Sequence, residues 1–472
     1  MLRQKALQAH GDVCAYGLKV APKMQVARSR PCRSWRPYPL LAVPPSALTG
    51  SSQTAAASVT TPHSGYHYDG SPRRFFEGWY WKVALPEEGD AFALIYSVED
   101  PGGSGPHAGV GVQVMGPGDG YCCQFSRRTD GFWASRSQLA LGASLLGRST
   151  GAAPPPLGDM VPQSSFDAAV VQGFQASSTL QQGAIVACEE GTPGAPLSSV
   201  ASASWSLTIT PLYGWGDAAA PTQRATAGWL SVLSVFEPHW QVMMSHGLAS
   251  GWLQWGDRRY EFRDAPTYAE KNWGGGFPSK WHWLQCNTWD GQPGLAVTAV
   301  GARRALLLGA QGLGLGEEDV GLVGITWSGG FIEMVPWTAE LEWEVQPWGS
   351  WRMRAVSGEH EVELEAECSP DTGTVLRAPT IAAGLAPFCK DTFQGKARLR
   401  VWLRGMRASG AAQPLIDAST TSAALEVGGG PWWTTWSAKA AMREPFRSLV
   451  QLPLDVAAIS KLVPSELKPP GL

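Results

Sequence analysis

Between Tyr268 and Trp283 the chain places an acid (Glu270), a base (Lys271), an amide (Asn272) and three indoles (Trp273, Trp281, Trp283) around Gly274-Gly275-Gly276. Charge set among aromatic surface suits chemistry on an apolar substrate that passes through a cation. Each indole face attracts positive charge by ~0.5–2 kcal/mol, more when the contact is dry. Trp229, Trp240, Trp252, Trp255 and Trp289 flank the segment, so a large share of the 23 tryptophans gathers there, as in a lined pocket. Core packing is the commoner task of a strand tryptophan, and some of these residues are expected to do only that.

Glu270 is the candidate proton donor. Desolvation among indoles raises a carboxyl pKa, and a rise of roughly 2–3 units from ~4.3 makes a useful general acid near neutrality. Paired to Lys271 or Lys280, it would instead be an ordinary surface glutamate. His239, behind Glu237-Pro238, could orient a substrate hydroxyl or receive its proton. Glu77 is a further acid, beside an aromatic strand that carries Trp79 and Trp81. Asp69, with His63 and His67, has a spacing that could suit a metal, but no further ligand set accompanies it and no metal is expected. Trp79, Trp81, Trp240, Lys271, Asn272, Trp273, Trp281 and Trp283 are the candidate substrate-binding residues. A Walker loop, a nucleophile elbow and a dinucleotide fingerprint are absent, because neither Gly274-Gly275-Gly276 nor Gly428-Gly429-Gly430 has the strand-to-helix setting such loops require.

The elements that must position these residues are strands. Gly (55) and Pro (36) cut the chain into short segments. Several of these alternate with period two, among them Ser204–Thr210, Glu361–Ala366 and Ala397–Leu403. Long helical periodicity is scarce, so the fold class is all-β, of sandwich or barrel type. Phe76–Val83 and Pro278–Gln285 each set Trp-x-Trp on one strand face behind a charged residue, which points to two β units built on related plans. The expected division is a leader over 1–58, an N-terminal β unit over 59–250, a C-terminal β unit over 251–440 and a tail over 441–472. The stretches Gly142–Ser164 and Glu189–Ser199 read as Pro/Gly/Ser-rich insertions on the first unit. In the tail, Leu452, Val456, Ile459 and Val463 recur at helical spacing and predict a short amphipathic helix, docked on its own domain or lying on a membrane surface.

The formal charge of −3 hides an asymmetry. From Met1 to Ser58 the ionisable side chains are eight Lys or Arg against Asp12 alone, in a Ser- and Ala-rich stretch with the composition of a transit peptide. Setting it aside leaves 29 basic against 39 acidic side chains. A mature protein that acidic is not expected to bind nucleic acid. Cys122, Cys123, Cys188, Cys286, Cys368 and Cys389 show no metal-ligand spacing and read as mostly buried thiols in a reducing compartment. The apolar runs are far shorter than the ~20 residues a membrane helix needs, so any membrane contact must be peripheral.

Read together, Thr61–Gly70, Arg74–Tyr80, Tyr96–Pro101, Phe236–Gln241, Phe262–Pro266, Glu270–Pro278 and Glu426–Trp432 resemble the tocopherol cyclases of plastids, with the likeness running from about Thr61 to the C-terminus. What the resemblance implies is an enzyme that closes the chromanol ring of a prenylated hydroquinone without redox cofactor or metal. It also implies a chloroplast location, with peripheral association to plastoglobule or inner-envelope lipid. The leader then reads as a chloroplast transit peptide. The family is distantly similar to the carotenoid 1,2-hydratases and to two-barrel, lipocalin-like proteins, which implies two lipocalin-like β units packed together with a short C-terminal helix. Those hydratases protonate an alkene with an aspartate in a W-D-x-N-Y-G-like segment, and Ala269–Gly274 occupies the comparable stretch with Glu270 for Asp. By that carry-over Glu270 is the donor, while Asp69, Glu77 or His239 could hold the role instead. An isoprenoid double-bond hydratase would instead add solvent oxygen to its product, and a non-catalytic prenylquinol carrier would bind without turnover.

Overall fold

The structure, a computed structural model, describes residues 61–147, 157–220, 222–232, 236–308, 313–407, 413–429 and 434–454. The expected leader and most of the predicted tail helix therefore lie outside the described residues. Within the described residues the chain is nearly all strand. In order these are β1 (Phe76–Leu85), β2 (Asp90–Glu99), β3 (Gly109–Gly116), β4 (Gly120–Ser126), β5 (Phe132–Ala134) and β6 (Ala140–Gly147). They continue as β7 (Val170–Ser177), β8 (Leu180–Val186), β9 (Ser202–Tyr213), β10 (Phe236–Glu237), β11 (His239–Trp255) and β12 (Arg258–Gly274). The second half holds β13 (Lys280–Cys286), β14 (Ala296–Leu308), β15 (Leu313–Trp327), β16 (Gly330–Met334), β17 (Glu340–Val345) and β18 (Ser350–Val356). It closes with β19 (His360–Glu367), β20 (Thr374–Thr380), β21 (Gly384–Leu403), β22 (Ile416–Gly428) and β23 (Trp436–Lys439). Two short α-helices, α1 (Gln163–Ala169) and α2 (Phe446–Val450), and two 3-10 turns, Pro117–Asp119 and Trp229–Val232, complete the set.

The pairing makes an 11-stranded sheet, β4-β3-β2-β1-β12-β11-β9-β8-β7-β6-β5, and a 12-stranded sheet whose main path is β16-β15-β14-β13-β22-β21-β19-β18-β17-β23. The plans are related. In each sheet the first strand, β1 or β13, opens an antiparallel meander on one side and pairs with a late strand, β12 or β22, on the other. Apart from β10, which pairs with β14 of the second sheet, the chain passes from the first sheet to the second between Gly274 and Lys280, later than the junction expected near residue 250. β11 and β12 form one long hairpin and so carry the first sheet past that point.

Each sheet curls round its own core. In the first, Tyr96 of β2 stacks on Phe174 of β7 with ring centroids 4.0 Å apart, although five strands lie between β2 and β7 along the sheet. Trp79, Trp81, Trp205 and Val112 fill the space between, where an aromatic residue buries the largest area available to one side chain. In the second sheet His282 of β13 faces Trp436 of β23 at 5.9 Å across an interior of Trp343, Leu364 and Leu399. A third apolar layer lies between the sheets. β3, β11 and β12 bring Met115, Val242 and Tyr268 to it, and β13, β20 and β21 bring Trp281, Trp283, Leu376 and Phe393.

The triple glycine is the crossing between the sheets. A Cβ on Gly276 would stand 2.7 Å from the Ile381 amide nitrogen, and Gly274 has φ +145°, so both positions exclude side chains for steric reasons. The Glu237 carboxylate accepts the Gly275 N–H at 2.6 Å and pairs with Arg73, which pins the crossing to β10.

Candidate active site

Period-two alternation splits the Glu270 segment between two environments. Cross-strand partners share a face, and the register pairs Glu270 with Tyr80 and Val242, Lys271 with Trp79 and Gln241, and Trp273 with Glu77 and His239. Tyr268, Glu270 and Asn272 point into the layer between the sheets. Lys271 and Trp273 point the other way, into the core of the first sheet.

Between the sheets is a cavity of about 180 Å³, lined mostly by apolar side chains. The first sheet lines it with Tyr80, Ile95, Trp240, Glu270 and Asn272, and the second with Trp281, Trp283, Val300, Ala302, Leu376, Cys389 and Glu426. Glu270 is 9% exposed. Its Oε2 accepts the Tyr268 hydroxyl at 2.6 Å and the Trp283 indole N–H at 3.1 Å. Burial pushes this carboxyl up to about 7, against the pull of donors on Tyr268, Trp240, Trp283 and Asn272. At neutral pH the group is therefore divided between acid and carboxylate, the condition for a general acid.

Glu270 is not alone. Glu426 of β22 lines the same cavity and accepts the Trp281 indole N–H. Burial takes it to about 7 as well, and the Glu270 charge adds to the rise. Asp391 of β21 is fully buried, with neither carboxyl oxygen hydrogen-bonded, and burial with the neighbouring Glu426 and Asp119 charges drives its pKa well upward. The Tyr80 hydroxyl stands among these acids, buried and without a hydrogen-bond partner. Sequence reasoning missed Glu426, Asp391, Cys389, Tyr80 and Tyr268 as site residues. Glu426 lay inside a motif already noted, Glu426–Trp432, but only the β13–β22 pairing shows what it faces.

The remaining candidates separate. Trp240, Asn272, Trp281, Trp283 and His239 border the cavity with Glu270, and Trp79, which packs in the first core, reaches its edge. His239 stacks on Trp273 at 5.0 Å, and burial, then the His63 and His67 charges, holds it well below the usual histidine range and hence neutral. Glu77 and Lys271 are wholly buried on the other face and ion-paired at 2.6 Å, and Lys271 also donates to the Gly65 carbonyl at 2.7 Å. Glu77 accepts the His67 backbone N–H at 2.8 Å, so the pair ties the segment before β1 to the first core. Trp81 and Trp273 belong to that core rather than to the cavity. Asp69 is exposed in a turn, where its carboxylate accepts the Ser71 N–H at 2.8 Å. Gly70 takes φ +83° there, which turns the chain outward. His63 and His67 spend their ring nitrogens on each other, on Ser231 and on Glu77. Among the described residues no group of three His, Cys, Asp or Glu is placed to hold a metal ion. The six described cysteines are free thiols, four of them buried and Cys188 exposed.

Comparison with known proteins adds to this geometry. A family model described as tocopherol cyclase-like matches residues 73–429. The Zea mays protein named "Tocopherol cyclase, chloroplastic" is 43% identical over 428 residues, covering 88% of this chain and 87% of its own length. An Oryza sativa subsp. japonica protein named "Probable tocopherol cyclase, chloroplastic" is 42% identical over 429 residues, covering 88% of each. Among solved structures, kievitone hydratase from Nectria haematococca matches 80% of this chain and 95% of its own at 10% identity and a TM-score of 0.37. CghA matches 76% and 89% at 9% identity and a TM-score of 0.41.

Proposed function

The chain belongs to the tocopherol cyclase-like family, and we propose that the cavity between its two sheets is where it closes the chromanol ring, with Glu270 as the proton donor. The protein is an enzyme, its activity tocopherol cyclisation, its substrate a prenylated quinol and its compartment the chloroplast. The observation that carries the proposal is a buried carboxyl, held at about 7, that opens onto a tryptophan-lined space between the sheets.

In the proposed reaction the substrate enters tail and ring together. The Glu270 acid delivers its proton to the less substituted carbon of the trisubstituted alkene nearest the ring, and the π pair becomes the new C–H bond. The tertiary cation so formed meets the faces of Trp240, Trp281 and Trp283, each contact adding ~0.5–2 kcal/mol. The adjacent phenol oxygen then attacks that carbon and closes the six-membered ring. An apolar wall serves twice, because it holds the internal nucleophile near and keeps water, the competing one, away. Suitable substrates are 2,3-dimethyl-6-phytyl-benzoquinol, giving γ-tocopherol, 2-methyl-6-phytyl-benzoquinol, giving δ-tocopherol, and plastoquinol, giving plastochromanol.

Association with plastoglobule or inner-envelope lipid belongs to the same proposal. Supporting it, α2 and the residues after it expose Leu449, Leu452 and Leu454 beside the apolar cluster of Phe236, Leu306 and Met442, and Phe236 and Met442 border the cavity. No helix of the described residues is long and apolar enough to cross a membrane.

The test is incubation of the mature protein with 2,3-dimethyl-6-phytyl-benzoquinol and no added cofactor. γ-Tocopherol should form, and Glu270→Gln, which keeps size and hydrogen bonding but has no proton to give, should form at least about 10²-fold less. A folded Glu270→Gln protein with near-normal turnover would remove Glu270 from the role.

A further inference from the structure

We propose that Glu426 is the proton acceptor of the cyclisation, taking the phenolic proton as the oxygen closes on the tertiary carbon. The inference rests on the reading of Glu270 as donor. It starts from the balance of the reaction: one proton enters at carbon and one leaves from oxygen, so ring closure is an isomerisation that consumes none. In a cavity that excludes water the outgoing proton needs a protein base within reach, and the oxonium formed at ring closure is a far stronger acid than the phenol.

The fold puts two carboxyls in place for this. Trp281 and Trp283 lie two residues apart on β13, about 7 Å along a strand, with both side chains on the cavity face. The Trp283 indole N–H donates to Glu270, and the Trp281 indole N–H donates to Glu426. Glu426 is also the direct cross-strand partner of Trp283. One strand thus suspends two acids side by side from consecutive inward tryptophans, one from each sheet. The Glu270 charge adds to the rise at Glu426, so the second proton leaves the pair less readily than the first. Over the window between those losses the pair holds one proton, which either carboxyl can carry since both sit at about 7, and the reaction draws on the arrangement with Glu270 as acid and Glu426 as base.

The step balances. The O–H bond of the phenol breaks, its electron pair stays with the oxygen that has formed the C–O bond, and the proton passes to the Glu426 carboxylate. Glu270 is then ionised and Glu426 protonated. When product leaves, the pair re-equilibrates with solvent protons and regains the starting arrangement. The other groups facing the pair are poor acceptors. Tyr80, Tyr268 and Cys389 are pushed well upward and stay protonated, Asp391 is held protonated by burial beside Glu426, and Lys82 faces Asp391 rather than the mouth. His239, which also borders the cavity, is kept a weak base by burial and by His63, His67, Arg304 and Arg73.

The experiment compares Glu426→Gln, Glu426→Asp and Glu270→Gln in the mature protein, with folding checked by circular dichroism and single turnovers of 2,3-dimethyl-6-phytyl-benzoquinol followed against pH. The wild type should show a bell: the acid limb marks protonation of the acceptor and the basic limb ionisation of the donor. Glu426→Gln should lower kcat by 10²–10³ with KM within about threefold. It should lose the acid limb and move the basic limb to lower pH, since Glu270 no longer has a like charge beside it. Glu426→Asp should recover part of the rate with both limbs present. Wild-type turnover by Glu426→Gln overturns the inference and leaves Glu270 as donor untouched. Loss of the basic limb in place of the acid limb also overturns it, because Glu426 would then be the donor. If Glu270→Gln turns over normally while Glu426→Gln behaves as expected, the donor reading fails and the acceptor stands.

Discussion

Lys271 and Glu270 are neighbours in sequence, and the structure gives them opposite tasks, which a single substitution can separate. Lys271→Met removes an ammonium whose side chain is 0% exposed and whose partner, Glu77, is likewise 0% exposed at 2.6 Å. Taking one member from such a pair leaves a buried charge uncompensated and costs about 3–5 kcal/mol. The loss is large beside the ~5–15 kcal/mol by which an ordinary protein is stable. Glu77→Gln keeps an acceptor for the His67 N–H and removes the charge, so Lys271→Met with Glu77→Gln should recover most of the loss. Urea unfolding of the two single variants and the double one, at constant pH, measures the coupling directly. Folded Lys271→Met should keep kcat within a few-fold, because its side chain points into the first core and away from the cavity. A Lys271→Met protein that loses under 1 kcal/mol, or that is folded yet loses kcat more than about 10²-fold, would refute the division of β12 into a structural and a chemical face.

Two further outcomes follow from the same geometry. Glu270 and Glu426 both sit at about 7 when folded against about 4.5 for a free glutamate, so their contribution to stability is present below 4.5 and lost as pH rises through 7. Stability from urea unfolding should therefore fall between pH 5.5 and 8.5, by about 2 kcal/mol for one such group, and Glu270→Gln should flatten the slope; a stability that rises over this range contradicts the buried-acid account. Gly428→Ala should destabilise the fold by about 1–3 kcal/mol and lower turnover, since the new Cβ would stand 2.0 Å from the Trp281 ring and push it from Glu426. Unchanged stability and rate in that variant would show that the ring has room that the structure does not give it.

Much of the fold was legible in the sequence because strand patterning is local. Ser204–Thr210, Glu361–Ala366 and Ala397–Leu403 all lie in strands, within β9, β19 and β21. The two Trp-x-Trp segments open β1 and β13, which hold equivalent places in the two sheets. The period of two also held information that the sequence reading left unused. It requires Glu270 and Lys271 to face opposite ways, and it groups Lys271 with Trp273, Glu77, Trp79 and Trp81 on the inner face. What could not be read is register between distant strands. Trp281 and Glu426 are 145 residues apart, and no local signal says that their side chains meet. Asp391 is hidden for the same reason: in Lys390-Asp391-Thr392 it resembles any polar strand residue until β20, β21 and β22 close over it. Asp69 was attractive for its histidine neighbours, yet Gly70 turns it to solvent, and a turn residue cannot be told from a site residue by composition.

The central claim is that Glu270 hands a proton to an alkene in the space between the sheets. Turnover of 2,3-dimethyl-6-phytyl-benzoquinol in D₂O, with the γ-tocopherol read by mass spectrometry and NMR, tests it most directly. The account predicts one carbon-bound deuterium per product, on a single face of the ring carbon beside the new C–O carbon, and neither product nor label from folded Glu270→Gln. Product without that deuterium, or labelled product from Glu270→Gln at near the wild-type rate, would contradict it.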